Sequence, residues 1–200
     1  MSDFPPPGDF SGTYPGTFSV TYDVVYSETR NRLTNAFRMI LIIPHLILAN
    51  VWRSFAQVLG LLQWFTVLFS GKRNNGIWSL QNDFMGYATR VSSYGSLLFD
   101  SYPPFGLDPG ATGVTYHLDY QESANRLTNA LRLIWAIPAM VVTIALAIAG
   151  ACVTLVSWFG ILFTGRQSRG MFDFLVKVNR YSTRANAYLM LMTDTYPVYE

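Results

Sequence analysis

Residues Leu133–Gly165 read LIWAIPAMVVTIALAIAGACVTLVSWFGILFTG, between Arg132 and Arg166, without one Asp, Glu, Lys or Arg. A run longer than about 18 such residues has the signature of membrane insertion. The composition agrees. Half of the 200 residues are hydrophobic, 16% are aromatic and only 13% are charged, where soluble domains carry about a quarter. This excludes disorder over the whole chain and argues against a free-standing soluble enzyme. Fourteen Lys plus Arg against twelve Asp plus Glu leave +2, too little for a nucleic-acid binder. The single cysteine, Cys152, rules out an intramolecular disulfide framework and a Cys-cluster zinc site, and inside the apolar run it reads as a small buried hydrophobe. Residues 1–16 open Met1-Ser2-Asp3-Phe4-Pro5-Pro6-Pro7-Gly8, show no signal-peptide pattern and read as a flexible tail.

The second half of the chain overlays the first at an offset of 94 without a gap. Asn31-Arg32-Leu33-Thr34-Asn35-Ala36 falls on Asn125-Arg126-Leu127-Thr128-Asn129-Ala130, Pro44 on Pro138, Trp64-Phe65 on Trp158-Phe159, and Asp100-Ser101-Tyr102-Pro103 on Asp194-Thr195-Tyr196-Pro197. About 30 identities over roughly 89 positions mark a tandem repeat. The organisation is a tail (1–16), a first membrane repeat (17–105), a turn-rich linker (106–111) and a second membrane repeat (112–199).

The order of these motifs, Asn-Arg-Leu, an apolar run with a Pro, Leu-Phe-Thr-Gly-Arg, a helix and Thr-Asp-x-Tyr-Pro, resembles the bacterial membrane domain known as domain-of-unknown-function family 4389. The second copy, with Ile161-Leu162-Phe163-Thr164-Gly165-Arg166, is closer to the family form than the first, which departs at Ser70-Gly71-Lys72-Arg73. The resemblance implies a bacterial cell-membrane location and no established activity.

Each repeat reads as four pieces, so the expected fold is mainly α and integral to the membrane. First comes a short strand. Val114, Tyr116, Leu118 and Tyr120, like Phe18, Val20, Tyr22 and Val24, alternate with polar neighbours, the period of a half-buried strand. The two strands are expected to pair with each other, with His117 on the polar face. Next is a helix start, where Glu28–Arg32 and Glu122–Arg126 have helix-supporting spacing. Arg38 and Arg132 follow near the apolar edge, where an arginine can snorkel to lipid phosphates. Third is the apolar run. As one helix it would be about 50 Å long, against roughly 30 Å of hydrocarbon. Basic residues flank both ends, and Arg53 would sit near mid-membrane in a single span. A helical hairpin is therefore expected in each copy, with Trp52 and Arg53 in the far-interface turn, Pro44 and Pro138 kinking its first helix, and about four membrane helices in all. Fourth is an amphipathic helix. In copy two it carries Lys177, Arg180 and Arg184 opposite Phe174, Tyr181 and Tyr188, the pattern of an interfacial helix.

No catalytic constellation, metal site, cofactor motif or small-molecule substrate site emerges from the sequence. His45 and Cys152 suggest no role. The expected function is a non-catalytic accessory or scaffold subunit of a larger membrane complex. The alternatives are a lipid-binding or membrane-shaping protein acting on an anionic leaflet, and a small transporter or channel component. Candidate contacts to lipid headgroups or to a partner are Arg32, Arg38, Arg126, Arg132, Arg166, Lys177, Arg180 and Arg184. Gapless repeats with like-charged flanks further predict a pseudo-two-fold axis along the membrane normal and cytoplasmic termini and linker.

Overall fold

The computed structural model describes residues 20–107 and 113–199. The expected tail, Phe18 of the first strand and most of the linker lie outside the described residues. The elements run β1 (Val20–Val24), α1 (Arg32–Leu41), α2 (Ile43–Ser70), α3 (Asn75–Gly95), β2 (Val114–Leu118), α4 (Arg126–Ala130), α5 (Arg132–Thr164) and α6 (Arg169–Leu189). The chain is mainly helical, as expected, and the same order of strand, short helix, long helix and helix occurs twice.

The strands pair antiparallel, with Tyr22 opposite Tyr116. Those residues are 94 apart, so the axis relating the repeats passes between them. One face of the ribbon is buried through Val20, Tyr22, Val24 and Leu118, while Thr21, Asp23, Thr115 and His117 face outward. Alternation alone predicts this pattern. Beneath the ribbon lie α3 and α6, which pack on each other and on β2 and β1 respectively. α2 and α5 form the third layer, α2 against α3 and α5 against α6.

Asn31 and Asn125 cap α1 and α4, each accepting from two backbone N–H groups through its side chain. The glutamates expected to support these starts bind elsewhere. Glu28 lies 3.6 Å from Arg166, and Glu122 accepts from Lys72 at 2.8 Å. A capping Asn already satisfies the first-turn donors, leaving the glutamates free to reach the other repeat. Gly71 and Gly165 end α2 and α5 with φ of 73° and 71°, the left-handed cap that favours glycine.

The apolar runs are not hairpins. α5 continues unbroken for 33 residues and α2 for 28. No turn chemistry interrupts either run. Trp52 stays in the helix with its ring stacked on Phe84, 4.8 Å between centroids, and Arg53 projects outward from the same turn. Gly150, the one glycine near the middle of α5, serves close packing: a Cβ there would meet Val178 Cγ1 at 3.2 Å. The bend in copy one falls between α1 and α2, at 45°, where Pro44 occupies the first turn of α2 and lacks an N–H to continue the ladder. In copy two the break is at Leu131, and Pro138 lies inside α5. One helix, α5, is long and apolar enough to cross a membrane; α1 and α2 join it if the bent pair is counted as one span. Four membrane helices are not present among the described residues.

Candidate lipid-facing surface and the clasps that shape it

Two pairs of reciprocal contacts join each long helix to the short helix of the other repeat. Asn35 Nδ2 donates to the Trp158 carbonyl at 3.0 Å, while Trp158 Nε1 donates to the Asn35 carbonyl at 2.8 Å. Asn129 and Trp64 repeat this at 3.1 and 3.0 Å. The start of α1 is thus fixed to the end of α5, and the start of α4 to the end of α2. The two long helices run in opposite directions, each meeting the other repeat through its short helix. The loops agree. Arg30 N–H donates to the Gly165 carbonyl and Gln167 N–H to the Glu28 carbonyl, matched by Ala124 to Gly71 and Arg73 to Glu122.

An arginine–aspartate clasp closes each repeat. Arg132 donates to the carbonyls of Tyr188 and Thr193 and reaches Asp194 at 2.5 Å. Arg38 does the same with Tyr94, Phe99 and Asp100. Each guanidinium also lies over a tyrosine ring, 4.3 Å from Tyr188 and 4.4 Å from Tyr94, a favourable cation–π geometry. These two arginines were expected at the lipid boundary. They are buried instead, because α3 and α6 end beside them with main-chain carbonyls and a carboxylate that accept from the guanidinium. Asp194 serves Arg73 as well, at 2.6 Å.

The other expected contact residues divide. Arg32, Arg126, Arg166 and Lys177 are exposed, the first two lying across Gly165 and Gly71 of the opposite repeat. Arg184 is buried and donates to the Val198 carbonyl. Arg180 donates to the Tyr22 carbonyl and lies 3.5 Å from Asp23. The basic stripe therefore does not form the outer face of an interfacial helix. α6 is a core helix whose Arg180 and Arg184 find partners within the molecule, and the aromatic side of the stripe (Tyr181, Tyr188) packs inward.

What remains uncovered is apolar. Along α5, Ile137, Val141, Ile148, Leu155 and Phe159 all lie open, and only 11% of its most apolar window is buried. Ile47, Val51, Phe55, Val58 and Leu62 are open on α2. Cys152, expected to be buried, lies exposed on α5. His45, by contrast, is wholly buried: its Nδ1 is 2.7 Å from the Tyr87 hydroxyl and its ring stacks on Phe105. Among the described residues, no three His, Cys, Asp or Glu side chains gather as a metal site.

Several residues in this arrangement carried no sequence expectation: Asn35, Asn129, Asp100, Asp194, Arg73 and Gln167. The signal available for the first four was their recurrence at the same offset in both copies. Periodicity could not supply their partners, which lie far away in sequence.

No curated protein and no solved structure matches the chain. The family described as domain of unknown function DUF4389 matches residues 32–106 and again residues 126–199. The chain belongs to that family and holds two tandem copies of its domain.

Proposed function

We propose that this is a non-catalytic membrane protein that lies in the plane of one leaflet, with α2 and α5 immersed along their length, and that it binds and shapes the lipid there. The observation that carries this reading is the level of the charges. Gly150 of α5 abuts Val178 of α6, so Lys177, Arg180 and its partner Asp23 lie beside the middle of α5. Arg53 likewise sits near the middle of α2. Were α5 a membrane span, these groups would lie at mid-bilayer, at a cost of about 3 kcal/mol or more for each charge left unpaired. With α5 in the plane, all of them reach the headgroup layer.

In this orientation the polar face of the ribbon looks into water and the apolar layer into acyl chains. The pseudo-two-fold axis then stands along the membrane normal even though the helices are antiparallel. Helices of about 40 and 50 Å wedged into one leaflet expand it relative to the other and favour curvature. Arg32, Arg126 and Lys177 are placed to meet anionic headgroups, each contributing about 1 kcal/mol, whereas Arg166 is paired with Glu28. The prevalence of basic residues favours the cytoplasmic leaflet of a bacterial plasma membrane.

Depth measurement tests the reading. Single nitroxide labels at Ile137, Val141, Ile148, Leu155 and Phe159 should report one common shallow depth in anionic vesicles. A spanning helix would instead give shallow ends and a deep Ile148, and that profile would overturn the proposal. The accessory-subunit alternative makes a different demand: in native membranes, protein would shield these labels from lipid-borne relaxing agents.

A further inference from the structure

We infer that the end of α5 carries a binding site for a single glycerolipid, whose acyl chain enters from the bilayer and whose free hydroxyl pairs with the buried carboxamide of Gln167. A cleft of about 570 Å³ lies there, lined by Tyr26, Val156, Ser157, Gly160, Gln167 and Met171 among others. That volume falls in the range of small-molecule sites. Gln167 is 2% exposed, yet neither its Nε2 nor its Oε1 has a hydrogen-bond partner among the described residues. A buried amide left without partners costs free energy on both its donor and its acceptor side. Its main chain is fully used: N–H donates to Glu28, and the carbonyl accepts from Tyr26 Oη at 2.9 Å.

The first repeat acts as an internal control, because the homologous positions differ in one direction. Leu62, Gln63, Thr66 and Arg73 stand where the second repeat has Val156, Ser157, Gly160 and Gln167. All four are larger. Gln63 Oε1 accepts from Asn74 N–H, and Arg73 is fixed by three carbonyls and Asp194. At the second repeat's end a different residue supplies the arginine. Arg30 donates to the Leu98 carbonyl and lies near Asp100, which leaves position 167 without a structural duty.

Ligand class follows from the lining. Val156 is half exposed on the open face of α5, so the cleft communicates with the surface proposed above to face acyl chains; the site rests on that reading. The rim charges balance, with Arg169 on Asp173 at 2.9 Å and Arg166 near Glu28 at 3.6 Å. A net-charged head is therefore not selected. A carboxamide presents one acceptor and two donors, and a hydroxyl is the small lipid group that answers both.

The test compares diacylglycerol with the same lipid acetylated at its free hydroxyl, both uncharged, offered to the full chain in detergent and read by native mass spectrometry. One bound diacylglycerol is expected, favoured over the acetylated form by roughly fivefold, the factor that one net hydrogen bond supplies. Ser157→Gln with Gly160→Thr installs the residues of the first repeat and should abolish retention. A Cβ at Gly160 meets nothing within 4 Å, so this variant should keep its helical circular-dichroism spectrum. Gln167→Leu should bind both lipids alike. Equal retention of the two lipids by the parent, or undiminished retention by the filled variant, overturns the site. Flotation of all these proteins on anionic vesicles keeps the readings separate: loss of flotation would count against the in-plane reading, while retained flotation with no bound lipid would count against the cleft alone.

Discussion

Asp194 accepts from two buried guanidiniums, Arg73 and Arg132, and its second oxygen accepts from the Asn125 N–H at 3.0 Å. Asp100 contacts one such arginine, Arg38, together with the Asn31 N–H, while buried Arg30 lies near it without a direct ion pair. Removing a charge from a buried pair leaves its partner uncompensated, which costs more than the pair contributed. Asp194→Asn should therefore destabilise by about 3 kcal/mol and Asp100→Asn by about half of that, read as the difference in denaturation midpoints. Equal losses would show that Arg73 finds sufficient partners in its three carbonyls. A second prediction concerns the paired tyrosines at the axis. Burial pushes the phenols of both Tyr22 and Tyr116 well above their ordinary value, with Tyr22 Oη against Ser93 at 2.8 Å. The folded chain then keeps protons that the unfolded chain loses above about pH 10. Their contribution is complete below that pH and falls as pH rises further, by about 1.4 kcal/mol per pH unit for each group. Melting temperature should decline steeply above pH 10, and Tyr22→Phe should make the decline shallower. An unchanged slope in that variant would place the alkaline sensitivity elsewhere.

At the scale of elements, Gly150 and Gly160 separate packing from propensity within one helix. A Cβ at Gly150 would press on Val178, whereas one at Gly160 meets open space. Gly150→Leu should force α5 off α6 and cost about 2–3 kcal/mol by overpacking. Gly160→Ala should instead stabilise by up to about 1 kcal/mol through helix propensity. Thermal melts of the two variants check the signs. The same helix shows what its sequence could convey. Its apolar character and both ends were legible, because charge is excluded between Arg132 and Arg166. Its continuity was not, because a hairpin and a long helix share one hydropathy profile, and length against bilayer thickness favours the hairpin only if the helix must cross. α6 misled for a related reason. Lys177, Arg180 and Arg184 occupy one helical line, but a line of basic residues does not say whether water, lipid or the protein's own carbonyls receive it. Two of the three turn to partners in the structure, Arg180 to Tyr22 and Arg184 to Val198.

The whole molecule is two copies clasped through one another, and its last prediction follows from that interlock. The fixed offset of 94 made the duplication legible, and the alternating strands made their mutual pairing an expectation. The opposite running of the long helices was not legible, since nothing in either copy alone names the residue it will meet in the other. The contacts between the repeats nonetheless come in symmetry-related sets: Tyr22 lies opposite its own counterpart Tyr116, and Asn35 with Trp158 is matched by Asn129 with Trp64. A single repeat thus carries both halves of each contact. Residues 112–199 alone own Asn129 and Trp158, the strand around Tyr116, and the Arg132–Asp194 clasp. Separately they would leave that strand unpaired and the Trp158 end of α5 uncovered, and an open strand edge is a template for a second chain. The isolated second repeat should therefore fold as an isologous dimer, with two Asn129–Trp158 clasps related by a true two-fold axis. Native mass spectrometry from mild detergent should show a dimer, and Asn129→Leu should convert it to unfolded monomer. A folded monomer of the isolated repeat would mean that the clasps decorate two independent units.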